Sequence, residues 1–301
     1  MAGDLPSNGL ISRSEPIAIV GAGPAGLACA ILLARAGRKV IVREWHKTVG
    51  SRFHGDYQGL ENWSGKRDVL DELNEAGIQT SFSAHPVFQG TAYDYRGKDY
   101  PIIGDRPLYY LVQRGGQKDS LEQGLLDQAV SVGVDIRFGE RATSIEGPAV
   151  SAIGPRSADA IAAGYIFETD QADSNHIVFD NKLAPHGYAY LLVHNGRGTL
   201  ASCMFSGFKN QAVHVARSVK FFEEKTGLKM NSPRPFGGFG NFRIPNTAMQ
   251  GGHPLIGEQA GFQDMLAGFG MRYALRSGIL AAQSLIEGSD YTHLWRAQLL
   301  P

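Results

Sequence analysis

Ile17-Ala18-Ile19-Val20-Gly21-Ala22-Gly23-Pro24-Ala25-Gly26-Leu27-Ala28 reads as an apolar strand that ends in spaced glycines and runs directly into an Ala/Leu-rich helix. Each glycine answers a separate steric demand. Gly21 permits the tight turn off the strand, Gly23 lets the backbone approach a pyrophosphate with no Cβ in the way, and Gly26 lets the helix pack closely on the strand. With Pro24 and Ala25 they form a candidate dinucleotide cradle, because the start of the helix offers unpaired N–H groups to an anion. The second strand, Lys39 to Arg43, ends at Glu44. A carboxylate there suits a ribose 2′-hydroxyl and repels a 2′-phosphate, which disfavours NADP and leaves NAD and FAD open.

Charge is balanced, with 29 Lys+Arg against 29 Asp+Glu, so nothing electrostatic argues for nucleic acid or an anionic membrane surface. A chain of 301 residues accommodates one large domain or two interleaved ones. Its 38 glycines fall at strand ends rather than in low-complexity tracts, as expected for many tight turns beside a cofactor. Cys29 in the first helix and Cys203 in a strand-like run match neither a disulfide framework nor a zinc site, and read as buried thiols of a reducing, cytoplasmic compartment. Residues 1–14 are polar with mixed charge, and the first long apolar run, Ala25 to Ala36, is the helix of the glycine motif. Neither a secretory leader nor a membrane span is expected.

Further along, apolar spacing at Val69, Leu70, Leu73 and Ala76 predicts a helix over Lys66 to Ala76, stopped by Gly77. Val87 to Arg96 and Lys98 to Ile103 flank Gly97 as a hairpin, and Tyr109 to Val112 is another apolar run. A helix over Gln117 to Val132 and strands over Val134 to Phe138 and Ala149 to Ile153 come next. Four consecutive, antiparallel strands are then expected at Gly164–Glu168, Ile177–Asp180, Tyr188–His194 and Thr199–Phe205, followed by a helix over Val213 to Glu224. A short run, His253 to Gly257, precedes a long helix from Gly270 to Glu287 striped by Leu275, Ile279, Leu280 and Leu285.

The turn that feeds this last helix has its own physical reading. Gly268 to Gly270 would aim the amides near Gly270 and Met271 at whatever lies in front, and oriented donors there would stabilise negative charge, as on the N1/O2 edge of a reduced isoalloxazine. The segment from Gly257 through Glu258, Gly261, Asp264, Gly268 and Gly270 to Met271 resembles the late flavin motif of geranylgeranyl-reductase-like flavoproteins, within the para-hydroxybenzoate-hydroxylase class. Other landmarks fall in the family's order: the glycine turn, Arg114 before a helix, the strand ending near Gly154, and a proline-glycine-tyrosine strand at Pro185 to Tyr190. The resemblance implies an α/β fold, with a Rossmann-like FAD-binding domain (15–80, 105–160 and 245–301) interleaved with a smaller, mostly antiparallel β-sheet substrate domain (81–104 and 161–244). It also implies FAD as cofactor, with Gly257, Glu258, Gly268, Gly270 and Met271 at its far end and Arg114 at the adenosine or pyrophosphate portion.

Several positions depart from the family pattern. Glu258 replaces the usual aspartate, Met265 or Leu266 the usual proline, and Ala152-Ile153-Gly154-Pro155 the usual glycine-alanine-aspartate-glycine. No cysteine-glycine-glycine element follows the second strand, where Val49 to Gly59 stands instead, and the chain ends soon after the long helix, a short form without the lipid-reductase extension. Both features argue against a long isoprenoid substrate.

The segment 49–63, read as a loop after the ribose-binding strand, brings Arg52, His54, Asp56, Tyr57, Glu61, Asn62 and Trp63 toward the cofactor. Arg52 is a candidate cofactor ligand, and His54 a candidate acid or base because its pKa lies near neutrality; the plain alternative pairs Arg52 with Asp56 and leaves His54 solvated. Tyr188 and Tyr190 share a strand face as an aromatic, hydroxyl-bearing wall, and His186 and His194 are placed on one face by the same alternation. The expected function is an FAD-dependent oxidoreductase that reduces a C=C or related bond of a small organic molecule by hydride transfer from flavin N5, after reduction by an external donor such as NAD(P)H. The alternatives are a flavin-dependent monooxygenase and a non-catalytic flavin-binding or maturation partner of another protein.

Overall fold

The computed structural model describes residues 15–142, 147–242, 246–264 and 268–299, so residues 1–14 and the Met265 and Leu266 substitutions lie outside the described residues. In chain order the first half comprises β1 (Ile17–Val20), α1 (Pro24–Arg35), β2 (Val40–Glu44), β3 (Tyr57–Glu61), α2 (Val69–Glu75), β4 (Ala84–Val87), β5 (Gln89–Tyr93), β6 (Asp99–Ile103), β7 (Tyr109–Gln113), α3 (Leu121–Ser131) and β8 (Asp135–Phe138). The second half comprises β9 (Ala149–Ser151), β10 (Ala160–Glu168), β11 (Ser174–Val178), β12 (Tyr188–His194), β13 (Arg197–Met204), α4 (Gln211–Thr226), β14 (Asn231–Gly240), α5 (Met271–Glu287) and α6 (Tyr291–Leu299).

Strands β8, β2, β1 and β9 pair in that order as a parallel sheet, the Rossmann-like arrangement read from the glycine motif. Helix α1 is apolar on nearly every side because it is buried between this sheet, α3 and α5: Leu27, Ala28, Ile31 and Leu33 are fully inaccessible. Its close seat depends on two glycines. A Cβ on Gly26 would lie 2.1 Å from the carbonyl oxygen of Gly21, and one on Gly278 would lie 2.3 Å from that of Ala25, where α5 crosses α1.

The second sheet has seven strands in the order β14-β10-β13-β12-β11-β5-β6. The four strands read from the sequence are its antiparallel centre, and β5 joins β11 in parallel, so the 89–103 hairpin extends the same sheet. Alternation decides its faces. Ala189, Leu191 and Val193 pack with Phe222 of α4 in a buried cluster, which leaves Tyr188, Tyr190 and Leu192 on the opposite face. A small antiparallel sheet, β3-β7-β4, bridges the two larger ones.

Three elements differ from the sequence expectation. The 49–63 segment is loop only in its first part. Its second part is β3, held in register by β7, and its alternation is hidden because both Gly59 and Leu60 are buried. Strand β14 carries Pro233, Pro235, Gly237 and Gly238, residues that speak against a strand interior, and it survives because it is an edge strand paired only with β10. Helix α6 follows the long helix, with Trp295 fully buried against Phe262.

Gly278→Ala is expected to destabilise the protein by about 1–3 kcal/mol through overpacking, since the methyl meets backbone rather than a movable side chain. Thermal unfolding followed by circular dichroism checks this.

Candidate active site

A cavity of about 1070 Å³ begins at the turn after β1, passes the start of α5 and ends against the open face of the seven-stranded sheet. Gly21 and Gly23 stand at its mouth for different reasons. Gly21 has φ +105° and no room for a Cβ, which would meet Ala152 O at 2.3 Å, whereas a Cβ on Gly23 would meet nothing within 4 Å. Gly23 therefore faces open cavity, and Gly26 is a packing residue that does not line it. Pro24 occupies the first position of α1, Ala25 lines the cavity beside it, and no side chain caps the helix. The first-turn amides are thus left to a ligand.

Glu44 closes this end. Its Oε2 accepts from Ala22 N at 2.8 Å and its Oε1 from His46 N at 2.9 Å, which fixes the carboxylate beside the turn. At the far side Gly268, Gly270 and Met271 line the cavity, and α5 begins at Gly270 with neither a capping side chain nor an acidic first-turn residue. Two uncapped helix starts thus serve one cavity, with a carboxylate beside the first and room at Gly23. These features fit FAD: the α1 end with Glu44 would take the adenosine and pyrophosphate, and the α5 end the isoalloxazine.

Arg52 pairs with Glu258 rather than with Asp56: Nη1 donates to Glu258 Oε2 at 2.7 Å and Nη2 to the carbonyl of Phe239 at 2.8 Å. Glu258 Oε1 also accepts from Gln263 Nε2 at 2.9 Å, and Gly257 beside it is held by Ser277 Oγ at 2.8 Å. The bridge ties the 49–55 loop to β14 and to the closing motif at the cavity wall. Arg114 is not a solvated loop residue. It is 5% exposed, donates through Nε to Glu122 Oε1 at 2.8 Å and through Nη1 to Gln58 Oε1 at 2.6 Å, and stacks on Phe53 at 3.8 Å. A buried pair of this kind is costly to break from one side, on the order of 3–5 kcal/mol.

None of the three histidines singled out in the sequence, His54, His186 and His194, lines the cavity. His54 is exposed, its backbone N–H donates to Asp56 Oδ1, and its ring lies near Phe236, because β3 starts three residues later and turns the chain inward behind it. His186 and His194 do not share a face. His186 is exposed in the turn before β12 with φ +58°, and His194 at the strand's other end binds Asp173 at 2.6 Å.

The wall at the far end is the open sheet face. Tyr188, Tyr190 and Leu192 of β12, Asn175 and Ile177 of β11, and Cys203 of β13 line it, with Phe269 and Trp63 in edge-on contact opposite. Register explains the additions: Tyr188 lies across from Cys203 and Tyr190 across from Ile177. The alternation that exposed the tyrosines in the sequence was equally available on β11 and β13. Burial holds both phenols well above their ordinary pKa, with the charges of Asp264 and Asp56 adding to it, and pushes the Cys203 thiol up to about 12. All three carry their protons at neutral pH.

Just behind this end sits Glu61, fully buried, with Ser64 Oγ donating to Oε1 at 2.6 Å and Oε2 without a partner. Burial raises its pKa to about 7, against the lowering pull of Ser64, Arg272 and Arg276; the latter two are tied to Glu72.

Residues 14–159 match the family model of the FAD binding domain. Over 41 residues the chain is 54% identical to UacF of Escherichia coli (strain K12), and over 63 residues 41% identical to the thiamine thiazole synthase of Methanococcus maripaludis. These matches take in 14% and 21% of this chain and span only 6% and 24% of those relatives' lengths. A geranylgeranyl bacteriochlorophyll reductase-like protein of Thermoplasma acidophilum superposes with a TM-score of 0.72 at 19% identity, over 95% of this chain and 82% of that one. PqsL of P. aeruginosa, in complex with 2-aminobenzoylacetate, gives 0.70 at 16% identity over 95% and 92%, and the flavin-dependent brominase Bmp2 gives 0.64 at 16% over 93% and 81%. Site and family match together identify residues 14–159 as an FAD binding domain. The fold of the whole chain is the one seen in the geranylgeranyl bacteriochlorophyll reductase-like protein and in PqsL.

Gly23→Val is expected to abolish FAD retention while the apoprotein stays folded, because the added side chain enters the open cavity and no protein atom. Flavin absorbance and circular dichroism of the purified variant check it. Glu61 gives a pH signature: the folded carboxyl ionises near 7 and the unfolded one near 4.5, so the folded chain holds an extra proton between them and loses that stability as pH rises through 7. Glu61→Gln is therefore expected to gain about 3 kcal/mol over the parent at pH 8 and to lose that advantage toward pH 4.5, measured by denaturant unfolding.

Proposed function

We propose that this protein reduces a C=C or related bond of a small organic molecule. The carrying observation is the pair of protonated phenols, Tyr188 and Tyr190, facing the end of a cavity whose opposite end suits a dinucleotide. Bound FAD, reduced by an external donor such as NAD(P)H, would supply the hydride from N5. Reduction of an alkene also needs a proton at the neighbouring carbon, and a phenol held in its neutral form can donate it. The uncapped α5 start would hold the ring's negative edge, while Trp63, Phe269 and Leu192 keep water from the reacting atoms. Residues 15–80, 105–160 and 245–301 would form the FAD-binding part, and 81–104 and 161–244 the substrate part. The free thiols of Cys29 and Cys203 support a reducing, cytoplasmic setting, and among the described residues no helix is long and apolar enough to cross a membrane.

Oxygen insertion is the second reading, favoured by the same apolar wall, which would shield reactive oxygen chemistry from water. The two readings part under anaerobic conditions. Holoprotein reduced photochemically and mixed with 4-hydroxycinnamamide without oxygen is expected to recover its oxidised flavin spectrum as the alkene is consumed, and Tyr190→Phe to slow this about 100-fold or more at unchanged flavin content. Reoxidation that occurs only with oxygen, and leaves an oxygen atom in the product, overturns the reductase reading.

A further inference from the structure

The cavity divides sharply by charge. Its charged lining residues, among them Arg43, Glu44, Arg52, Arg114, Arg156 and Glu258, come from the parallel sheet, its flanking loops and helix α3 rather than from the seven-stranded sheet. Every lining residue contributed by the seven-stranded sheet, and every one from β3 and β7, lacks a full charge: among the described residues no Lys, Arg, Asp or Glu from these strands reaches the cavity. His176 is the sole titratable imidazole among them, and burial holds it below the ordinary histidine range, so it is neutral at physiological pH. The charges that reach Tyr188 and Tyr190 from behind the wall are the carboxylates Asp264 and Asp56. No guanidinium or ammonium is borne by these strands, and Arg52, which meets the sheet at its edge strand β14, is already paired with Glu258 and the Phe239 carbonyl.

Resting on the reading of the cavity as an FAD site, we propose that the substrate is an uncharged aromatic or conjugated molecule anchored by a neutral polar group between Tyr190 and Asn175. A carboxylate at this end would be buried without a counter-ion, a cost of several kcal/mol that the protein avoids by rejecting it. The anchor is built from what these side chains leave open. The Tyr190 hydroxyl makes no hydrogen bond with any described residue, and Asn175 Oδ1 is taken by the hydroxyl of Tyr109 at 2.9 Å, which leaves its amide nitrogen as a donor. Two neutral donors over an aromatic floor suit a carbonyl, carboxamide or phenol oxygen. The proteins of like fold do not share one such demand: the ligand bound to PqsL, 2-aminobenzoylacetate, is an acid.

The test uses three probes of one shape, 4-hydroxybenzamide, 4-hydroxybenzoate and 4-hydroxybenzamidine, each added to FAD-loaded protein at pH 7.5 and measured by equilibrium dialysis. The amide is expected to bind at least tenfold more tightly than either ion, and Ile177→Arg, which puts a cation on the wall, to reverse the order of amide and benzoate. Equal or tighter binding of benzoate or of the amidine by the parent protein overturns the proposal, and so does the absence of amide binding while FAD is retained. Protein that neither carries nor takes up FAD overturns the cofactor reading, and this proposal with it.

Discussion

Backbone touching backbone is the constraint on which the rest of this molecule depends. At Gly21 against Ala152, Gly26 against Gly21 and Gly278 against Ala25, a single methyl group would meet a main-chain oxygen at 2.1–2.3 Å. Contacts this close fix α1 on β1 and α5 on α1. They therefore fix the directions in which the amides of both helix starts point. A ligand meets donors already aimed, so none of its binding energy is spent on ordering them. The same close seat explains why eight of the twelve residues of α1 are Ala, Gly or Leu.

Charge is arranged on top of that frame. A chain with equal numbers of acidic and basic residues carries a strongly asymmetric cavity, ionic where a pyrophosphate would lie and neutral where a substrate would meet the ring. Two arginines at the ionic end are paired, Arg52 with Glu258 and Arg114 with Glu122, so they are positioned before any ligand arrives. Glu258 is one methylene longer than the aspartate of the family pattern, and the extra reach is used in a bridge to Arg52 and a hydrogen bond from Gln263.

The sequence made the cofactor end legible because glycines at a strand end have few other uses. The strand, the turn, the helix and Glu44 were all readable, as were the four central strands of the second sheet. What escaped reading shares one cause: its logic lies between segments far apart in the chain. β14 is a strand only because β10 pairs with it, despite two prolines. Arg114 was legible as a candidate cofactor ligand but not as half of a buried ion pair, because Glu122 and Phe53 converge on it only in three dimensions. His54 drew notice for its intrinsic pKa, yet β3 turns the chain and leaves it outside. Asn175 and Cys203 carried no motif, and only strand register brings them beside the tyrosines.

The bridge from Arg52 to Glu258 and the carbonyl of Phe239 has a consequence for the order of events during synthesis. The first turn and its acidic partner leave the ribosome early, but residues that wall the opposite side of the cavity, such as Phe239, Glu258 and Met271, are made far later. A growing chain can form β1, α1 and β2 locally, while the contacts that close the chamber carry very large sequence separation and come slowly. Capture of the cofactor is thus a step that waits for the closing motif, and before it the nascent chain exposes an apolar helix whose cover, α5, has yet to be translated.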